Sequence, residues 1–279
     1  MTTQYAALTE PLKQLCNKAG NAILEVYALD DIQVELKADN SPVTTADRRA
    51  HRIIADGLEQ LSPGVPVLSE EGTLPAFSTR KNWGRYWLVD PLDGTREFID
   101  RTHEFTVNIA LIENNQPVLG MVYAPVSQAF YYGGKALHGA WRQLGGESAV
   151  AIQTRPCAPV GVLNIALSRH SGRDNLTDLL ARFEQRFSEV HQMVVGSSLK
   201  TCLVAEGSLD IYPRLWPTSE WDTAAGQAVI EGAGGKILTI INNCLEPLSY
   251  NQKESLLNPD FYVIGDPGAE WESLLIQGC

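Results

Sequence analysis

The sequence predicts an α/β (α+β) protein in which helices and sheets stack in layers, built as two fused lobes. Three observations carry this expectation. Two stretches of helical periodicity come first. A run of alternating, hairpin-linked β segments follows. The second half then alternates strand and helix patterns. The lobes are read as 1–150, holding the antiparallel sheet, and 151–279, holding the alternating pattern.

The first helix is read from about Leu8 to Ala28, because Leu8, Leu12, Leu15, Ala19, Ile23 and Val26 recur at helical spacing. Asp39-Asn40-Ser41-Pro42 is a turn signal. A second helix follows from Thr44 through Ile53, Ile54, Leu58 and Leu61. Thr or Asp caps its start, and Ser62-Pro63-Gly64 ends it. Val65 to Ser69 reads as a short strand running into Glu70-Glu71-Gly72.

The apolar run Trp87-Leu88-Val89 reads as a buried strand that turns abruptly at Pro91 and Gly94. Phe105–Leu111 and Pro117–Tyr123 follow as strands joined by a hairpin turn at Glu113-Asn114-Asn115. Ala129–Tyr132 and Ala136–Arg142 complete a meander. A weakly patterned stretch from Gly145 to Pro159 separates the halves.

In the second half, strands are expected at Val160–Ser168, Val190–Val195, Leu209–Tyr212 and Phe261–Ile264. Helices are expected at Asp174–Phe187, Ser198–Glu206, Trp221–Ala233 and after Pro267.

Composition narrows the function classes. The 279 residues are 44% hydrophobic, with a formal charge of -11 and a pI near 4.9. Such a chain lacks the basic stripe of a nucleic-acid-coating protein. An anionic substrate is still compatible, because a bound cation inverts the local field. The five cysteines, Cys16, Cys157, Cys202, Cys244 and Cys279, are odd in number and never in CxxC spacing. Reduced thiols in a cytoplasmic protein are expected. The first twenty residues lack a basic start and apolar run, so no secretory signal is expected. No apolar run is long enough for a transmembrane helix.

Four groups carry candidate chemistry. Asp90 and Asp93 flank the Pro91 turn, with the Leu92 carbonyl between them as a further oxygen. Oxygen ligands suit Mg²⁺, although DxxDG alone reads as readily as an acidic surface turn. Glu70-Glu71 also follows an apolar strand. If the two strands are parallel neighbours, both acidic sets share one sheet edge; otherwise the pair is a solvated loop. Asp222 falls in the first turn of a helix with small residues at Ala224, Ala225, Gly226, Ala228, Gly232 and Ala233. Such a helix can approach another element closely, and the carboxylate suits its N-terminus by itself. Asp47 and Thr95 can together orient and deprotonate a water, or serve separately as helix caps. Trp83, Tyr86 and Trp87 read as core.

Taken together, WLVDPLDGTREF, the upstream SEE and WDTAAGQAVIEGAGG resemble, in order, the three signatures of the magnesium-dependent, lithium-sensitive phosphatases. That family includes inositol monophosphatases, fructose-1,6-bisphosphatases and 3'(2'),5'-bisphosphate nucleotidases. The likeness spans essentially the whole chain, from Asp39 to Pro259. It implies a layered αβαβα sandwich of the inositol monophosphatase/fructose-1,6-bisphosphatase type. Arg96-Glu97-Phe98 after Gly94-Thr95 resembles the bacterial bisphosphate nucleotidase branch, where inositol monophosphatases typically have Thr-Asn-Phe. The runs Gly196–Gly207 and Leu209–Arg214 resemble that branch as well.

The resemblance implies two or three Mg²⁺ ions held by Glu70, Asp90, the Leu92 carbonyl, Asp93 and Asp222, with Glu71 behind them. Asp47 and Thr95 would position and deprotonate the attacking water, and Gly94 and Thr95 N–H groups would cradle the phosphate. The implied substrate is 3'-phosphoadenosine 5'-phosphate, with its 5'-phosphosulfate as a further one, cleaved to AMP and phosphate. Ser197, Ser198 and Lys200 are candidate contacts to it, with Arg214 and the Ser168-Arg169-His170 loop beside them. Lys200 can also be read as a solvated helix charge. The branch usually carries Ser-Arg-Ser-His where this chain has Ser168-Arg169-His170-Ser171. A small phosphorylated nucleotide is thus the expected partner, with no nucleic acid polymer. Monomer and homodimer both stay open, as does peripheral contact at the cytoplasmic face of an inner membrane. The alternatives are an inositol monophosphatase or other sugar-phosphate phosphatase, and a non-enzymatic binder that kept the fold.

Overall fold

The computed structural model describes residues 2–37, 41–169 and 174–276. Part of the expected Asp39–Pro42 turn, together with His170 and Ser171, lies outside them, as does Cys279.

The chain opens with α1 (Thr2–Tyr27), the strands β1 (Val34–Leu36) and β2 (Pro42–Thr44), and α2 (Thr45–Leu61). α1 starts before the expected Leu8, and Pro11 lies inside it. Its early turns are anchored by a tertiary contact that periodicity cannot register. The Tyr5 hydroxyl donates to Glu113 Oε1 at 2.9 Å. α2 starts at a reciprocal cap. Thr44 Oγ1 accepts from Ala46 N–H at 3.1 Å, and Asp47 Oδ2 accepts from Thr44 N–H at 2.8 Å.

The first sheet follows. Its elements are β3 (Val67–Ser69), a short α3 (Phe77–Arg80), β4 (Arg85–Asp93), α4 (Thr95–Ile99), β5 (Thr106–Glu113), β6 (Gln116–Ala124), β7 (Ala129–Gly134), β8 (Gly139–Leu144) and β9 (Val150–Ala151). The seven strands lie in sequence order, and every pair is antiparallel except β3 and β4. The β5–β6 turn holds Asn114 at φ 48° and Asn115 at φ 64°, left-handed positions that asparagine tolerates.

β4 corrects one expectation. The strand does not turn at Pro91 but continues to Asp93. Asp90 opposes Asn108 and Asp93 opposes Thr106, so β4 carries one extra residue there. That is a β-bulge, a place where a strand tolerates proline. The chain turns only at Gly94, whose φ of 90° favours glycine. β8 likewise starts at Gly139 rather than Ala136, because residues 135–138 form a tight turn with His138 at φ 55°.

The second half contributes β10 (Val162–Leu167), α5 (Asp174–Arg186), β11 (Glu189–Val194), α6 (Leu199–Ala205), β12 (Ile211–Arg214), α7 (Glu220–Gly232), β13 (Lys236–Ile241), β14 (Cys244–Pro247), β15 (Phe261–Ile264) and α8 (Trp271–Leu275). Its sheet runs β11-β10-β12-β15-β13-β14. β10 is parallel to β11 and β12, and the remaining pairs are antiparallel. The hairpin of β13 and β14 was not anticipated, although its signal is present. Asn242 and Asn243 sit at positive φ between two β segments, as Asn114 and Asn115 do.

Three cores define the layers. Leu12, Ile23, Ile54 and Leu58 of α1 and α2 pack on Trp87, Val89, Leu111 and Met121 of the first sheet. The opposite face of that sheet, with Leu88, Ile112 and Val122, packs on Cys202, Ala225 and Val229 of α6 and α7. Those helices also meet Tyr212, Phe261 and Val263 of the second sheet. Leu163, Ile165 and Tyr262 face Phe183 of α5 and Trp271 of α8. The order is therefore αβαβα.

The small face of α7 lets the helix lie directly on the first sheet. A Cβ added at Gly120 of β6 would stand 2.3 Å from the Ala225 carbonyl oxygen. This close seating brings the first turn of α7 to the β4 bulge. Tyr86 and Trp87 are fully buried, as expected of core. Truncating such an aromatic costs about 3–5 kcal/mol.

Candidate active site

β3 and β4 are parallel, with Ser69 opposite Val89. Glu70, just past the end of β3, therefore lies level with Asp90 of β4, and the Glu70 N–H donates to Val89 O at 3.2 Å. Asp90 is 2% exposed. Its Oδ1 accepts from Leu92 N–H at 3.0 Å, which shapes the bulge. Three steps along the chain, Asp93 Oδ2 accepts from Ser198 N–H at 2.6 Å and from Asn108 Nδ2 at 3.3 Å. Asp222 comes from the first turn of α7, where its Oδ2 accepts from Ser219 N–H at 2.9 Å. Asp90, Asp93 and Asp222 each bring one carboxylate oxygen within 4.8 Å of the others.

This crowding has an electrostatic consequence. Burial first, then the neighbouring carboxylates, pushes Asp90 and Asp222 well above the usual carboxylate range. Burial raises Glu70 as well, opposed by Lys37. Lys37 Nζ donates to Glu70 Oε1 at 2.6 Å and also binds Glu71, so one ammonium spans the acidic pair. Lys37 escaped the sequence reading because it belongs to another strand end, 33 residues before Glu70.

These donors fit a hard divalent cation. All are oxygens, burial and the neighbouring carboxylates disfavour the charged forms of Asp90 and Asp222, and a cation at their centre offsets that repulsion. Asp47 and Thr95 stand beside the cluster. Thr95 Oγ1 lies 3.0 Å from Asp47 Oδ1 and 3.3 Å from the Leu92 carbonyl oxygen. Asp47 is raised by burial, against the lowering effect of the Thr44 donors.

A cavity of about 300 Å³ opens over the cluster. Its lining includes Glu70, Asp93, Gly94, Thr95, Ser197, Ser198, Lys200, Arg214 and Asp222. The structure thus gathers these nine expected residues, and Ser168 with them, from both halves of the chain. Asp47, Asp90, Leu92 and Glu71 are not part of the lining.

The second-half residues also have partners within the protein. Ser198 Oγ lies 2.8 Å from Asp93 Oδ2 and 2.9 Å from the Asp222 carbonyl, so this hydroxyl serves the acids. Ser197, at φ 55°, has its hydroxyl 2.6 Å from Thr106 Oγ1. Lys200 is not a solvated helix charge. It is 4% exposed, and its Nζ donates to Ser197 O at 2.6 Å and Val195 O at 3.2 Å. Burial brings its ammonium down to about 8. Arg214 Nε donates to Trp216 O at 3.1 Å, at the cavity wall.

Thr106 and Asn108 were missed. Both are buried, and both lie within hydrogen-bond range of Asp93 Oδ2, at 3.4 and 3.3 Å. Their signal was two polar residues at alternate positions of an otherwise apolar strand.

The layered fold and the acid cluster define a class: a mixed α/β protein with a central cluster of carboxylate oxygens that could hold a metal cation. Comparison with known proteins then identifies the group. The sequence profile of the inositol monophosphatase family matches residues 4–273. The chain belongs to the inositol monophosphatase family, a metal-dependent family.

Its similar relatives include two proteins named 3'(2'),5'-bisphosphate nucleotidase CysQ. The protein from Salmonella typhimurium is 47% identical over 92% of this chain and 99% of its own. That from Escherichia coli is 48% identical over 90% of this chain and 96% of its own. The crystal structure of CysQ from Bacteroides thetaiotaomicron, a bacterial member of the inositol monophosphatase family, is 38% identical. It superposes with a TM-score of 0.78 over 92% of this chain and 97% of that one. Among the described residues, no helix is long and apolar enough to cross a membrane.

Proposed function

We propose that this protein is a Mg²⁺-dependent 3'(2'),5'-bisphosphate nucleotidase. It removes the 3'-phosphate of 3'-phosphoadenosine 5'-phosphate, leaving AMP and phosphate, and takes the 5'-phosphosulfate as a further substrate. The observation that carries the reading is the Asp90, Asp93 and Asp222 cluster beside the Asp47–Thr95 pair. It occurs in a chain 47% identical to a named nucleotidase over nearly its whole length.

Two or three Mg²⁺ ions, bound by Glu70, Asp90, the Leu92 carbonyl, Asp93 and Asp222, would offset phosphate charge and lower the pKa of a water. The protein's own groups do the rest. Thr95 Oγ1, held 3.0 Å from Asp47 Oδ1, orients the attacking water. Asp47 takes its proton, and burial has already raised this carboxyl toward the range a general base needs. Gly94 and Thr95 present their N–H groups to the phosphoryl oxygens, so that attack proceeds in line. Glu71 steadies Glu70 through the Lys37 ammonium that both bind. Lys200 and Arg214 place positive charge on the cavity wall for the second phosphate, with Ser197 and Ser198 holding the wall between Lys200 and Asp93.

The four described cysteines are free thiols, which suits work in a reducing cytoplasm. A phosphate-release assay tests the function. It compares 3'-phosphoadenosine 5'-phosphate with inositol 1-phosphate, each with and without Mg²⁺. Faster, Mg²⁺-dependent turnover of the nucleotide is expected; faster turnover of inositol phosphate would transfer the protein to the sugar-phosphate specificity.

A further inference from the structure

We propose that the indole of Trp216 is the platform on which the purine base of the substrate stacks. The proposal rests on the nucleotidase reading and deepens it by assigning the part of the substrate that carries no phosphate.

Trp216 stands apart from the other five tryptophans. It is 52% exposed, whereas Trp87, Trp221 and Trp271 are buried and Trp83 and Trp141 half-buried. Leaving an indole in water forgoes the free energy of burying it. This one belongs to the lining of the cavity that holds Asp93 and Asp222.

Its exposure does not come from a loose loop. Arg214 Nε donates to the Trp216 carbonyl at 3.1 Å, and Arg214 Nη2 donates to the Pro217 carbonyl at 3.4 Å. Asn258 holds the next two residues. Its N–H donates to Thr218 O at 2.8 Å, and its Nδ2 donates to Ser219 O at 2.7 Å. The backbone around Trp216 is tied down while the ring stays open. That is a preorganised aromatic surface, which loses little entropy when a flat ligand settles on it.

The cavity wall combines three chemistries. Asp93 and Asp222 are the acids, Lys200 and Arg214 the cations, and Trp216 is a half-exposed indole in the same lining. A purine nucleoside bisphosphate carries the complement: one phosphate for the acid-held cations, a second phosphate for the fixed positive charges, and a planar base for the indole. A sugar phosphate has no planar π-system to stack on the third feature.

The test uses Trp216→Ala and Trp216→Phe in the full chain. Each is assayed with 3'-phosphoadenosine 5'-phosphate and with ribose 3,5-bisphosphate, which has the phosphates but no base. Base stacking on an aromatic side chain corresponds to about a fivefold to hundredfold effect on affinity. Trp216→Ala is therefore expected to lower kcat/KM for the nucleotide relative to the base-less ester by about tenfold, through KM. Trp216→Phe is expected to restore most of that ratio. AMP is expected to quench the tryptophan emission of the wild type and to lose most of this effect in Trp216→Phe. An unchanged ratio in Trp216→Ala, with wild-type nucleotide turnover intact, overturns the platform alone. A wild type that cannot turn over the nucleotide removes the nucleotidase reading and the platform with it.

Discussion

Ser198 gives Asp93 Oδ2 two hydrogen-bond donors at once, its backbone N–H at 2.6 Å and its hydroxyl at 2.8 Å. The two residues are 105 positions apart. The same hydroxyl oxygen is 2.9 Å from the Asp222 backbone carbonyl, so Ser198 ties the acid of β4 to the first turn of α7.

Ser198→Ala should therefore weaken the cation site without dismantling it, because the backbone N–H still reaches Asp93. Loss of such a supporting contact costs about tenfold to a hundredfold in metal affinity. The Mg²⁺ concentration for half-maximal activity is expected to rise at the lower end of that range. Activity at saturating Mg²⁺ should stay near wild type. An unchanged Mg²⁺ titration would show that the hydroxyl is dispensable.

Asp222→Asn separates charge from shape. The amide oxygen can still accept the Ser219 N–H, so the start of α7 is kept. Turnover is expected to fall by about a thousandfold or more, with native circular dichroism. Metal-free Tm should rise by about 2–4 °C, as expected for roughly 1 kcal/mol of relieved repulsion. A lower Tm would mean that the carboxylates do not repel one another in the metal-free fold.

The raised carboxyls also set a pH dependence. Between its ordinary pKa near 4 and its higher folded value, each of Asp90 and Asp222 binds more protons folded than unfolded. Their contribution to metal-free stability therefore falls as pH rises through that window. Bound Mg²⁺ removes the penalty. The increase in Tm on adding saturating Mg²⁺ should be about 5 °C or more near pH 8 and clearly smaller near pH 5. Differential scanning calorimetry at both pH values checks this, and an increment that does not grow with pH would contradict it.

Lys200 gives a second pH signature. Its ammonium, lowered to about 8, is charged below that value and neutral above it. If it binds substrate phosphate, kcat/KM for the bisphosphate should fall as pH rises through about 8. Lys200→Met should remove that limb and lower the neutral-pH value by about tenfold. The same shift makes the Lys200 contribution to folding stability rise from about pH 8 to its ordinary pKa near 10.4, where the unfolded chain binds more protons. A wild-type profile flat across pH 8 would detach Lys200 from substrate binding.

Local chemistry made much of this protein legible in its sequence. Helical spacing marked α1 and α2, alternation and paired asparagines marked the β5–β6 hairpin, and small residues announced the close seating of α7. Glu70, Asp93 and Asp222 were visible because each stands at the end or start of an element whose signal is local, and Asp90 because it follows the apolar run Trp87-Leu88-Val89. What the sequence could not specify depends on contacts between distant segments. Whether Glu70 and Asp90 are neighbours hinges on β3 and β4 being parallel, a property of the whole sheet. The bulge that carries β4 past Pro91 appears only against the register of β5. Lys37 on the acidic pair and Ser198 on Asp93 join residues far apart, and the exposure of Trp216 in the cavity lining is a matter of burial. A local pattern encodes which residues can form an element, whereas packing alone settles which side chains meet, which are buried and which pKa values move.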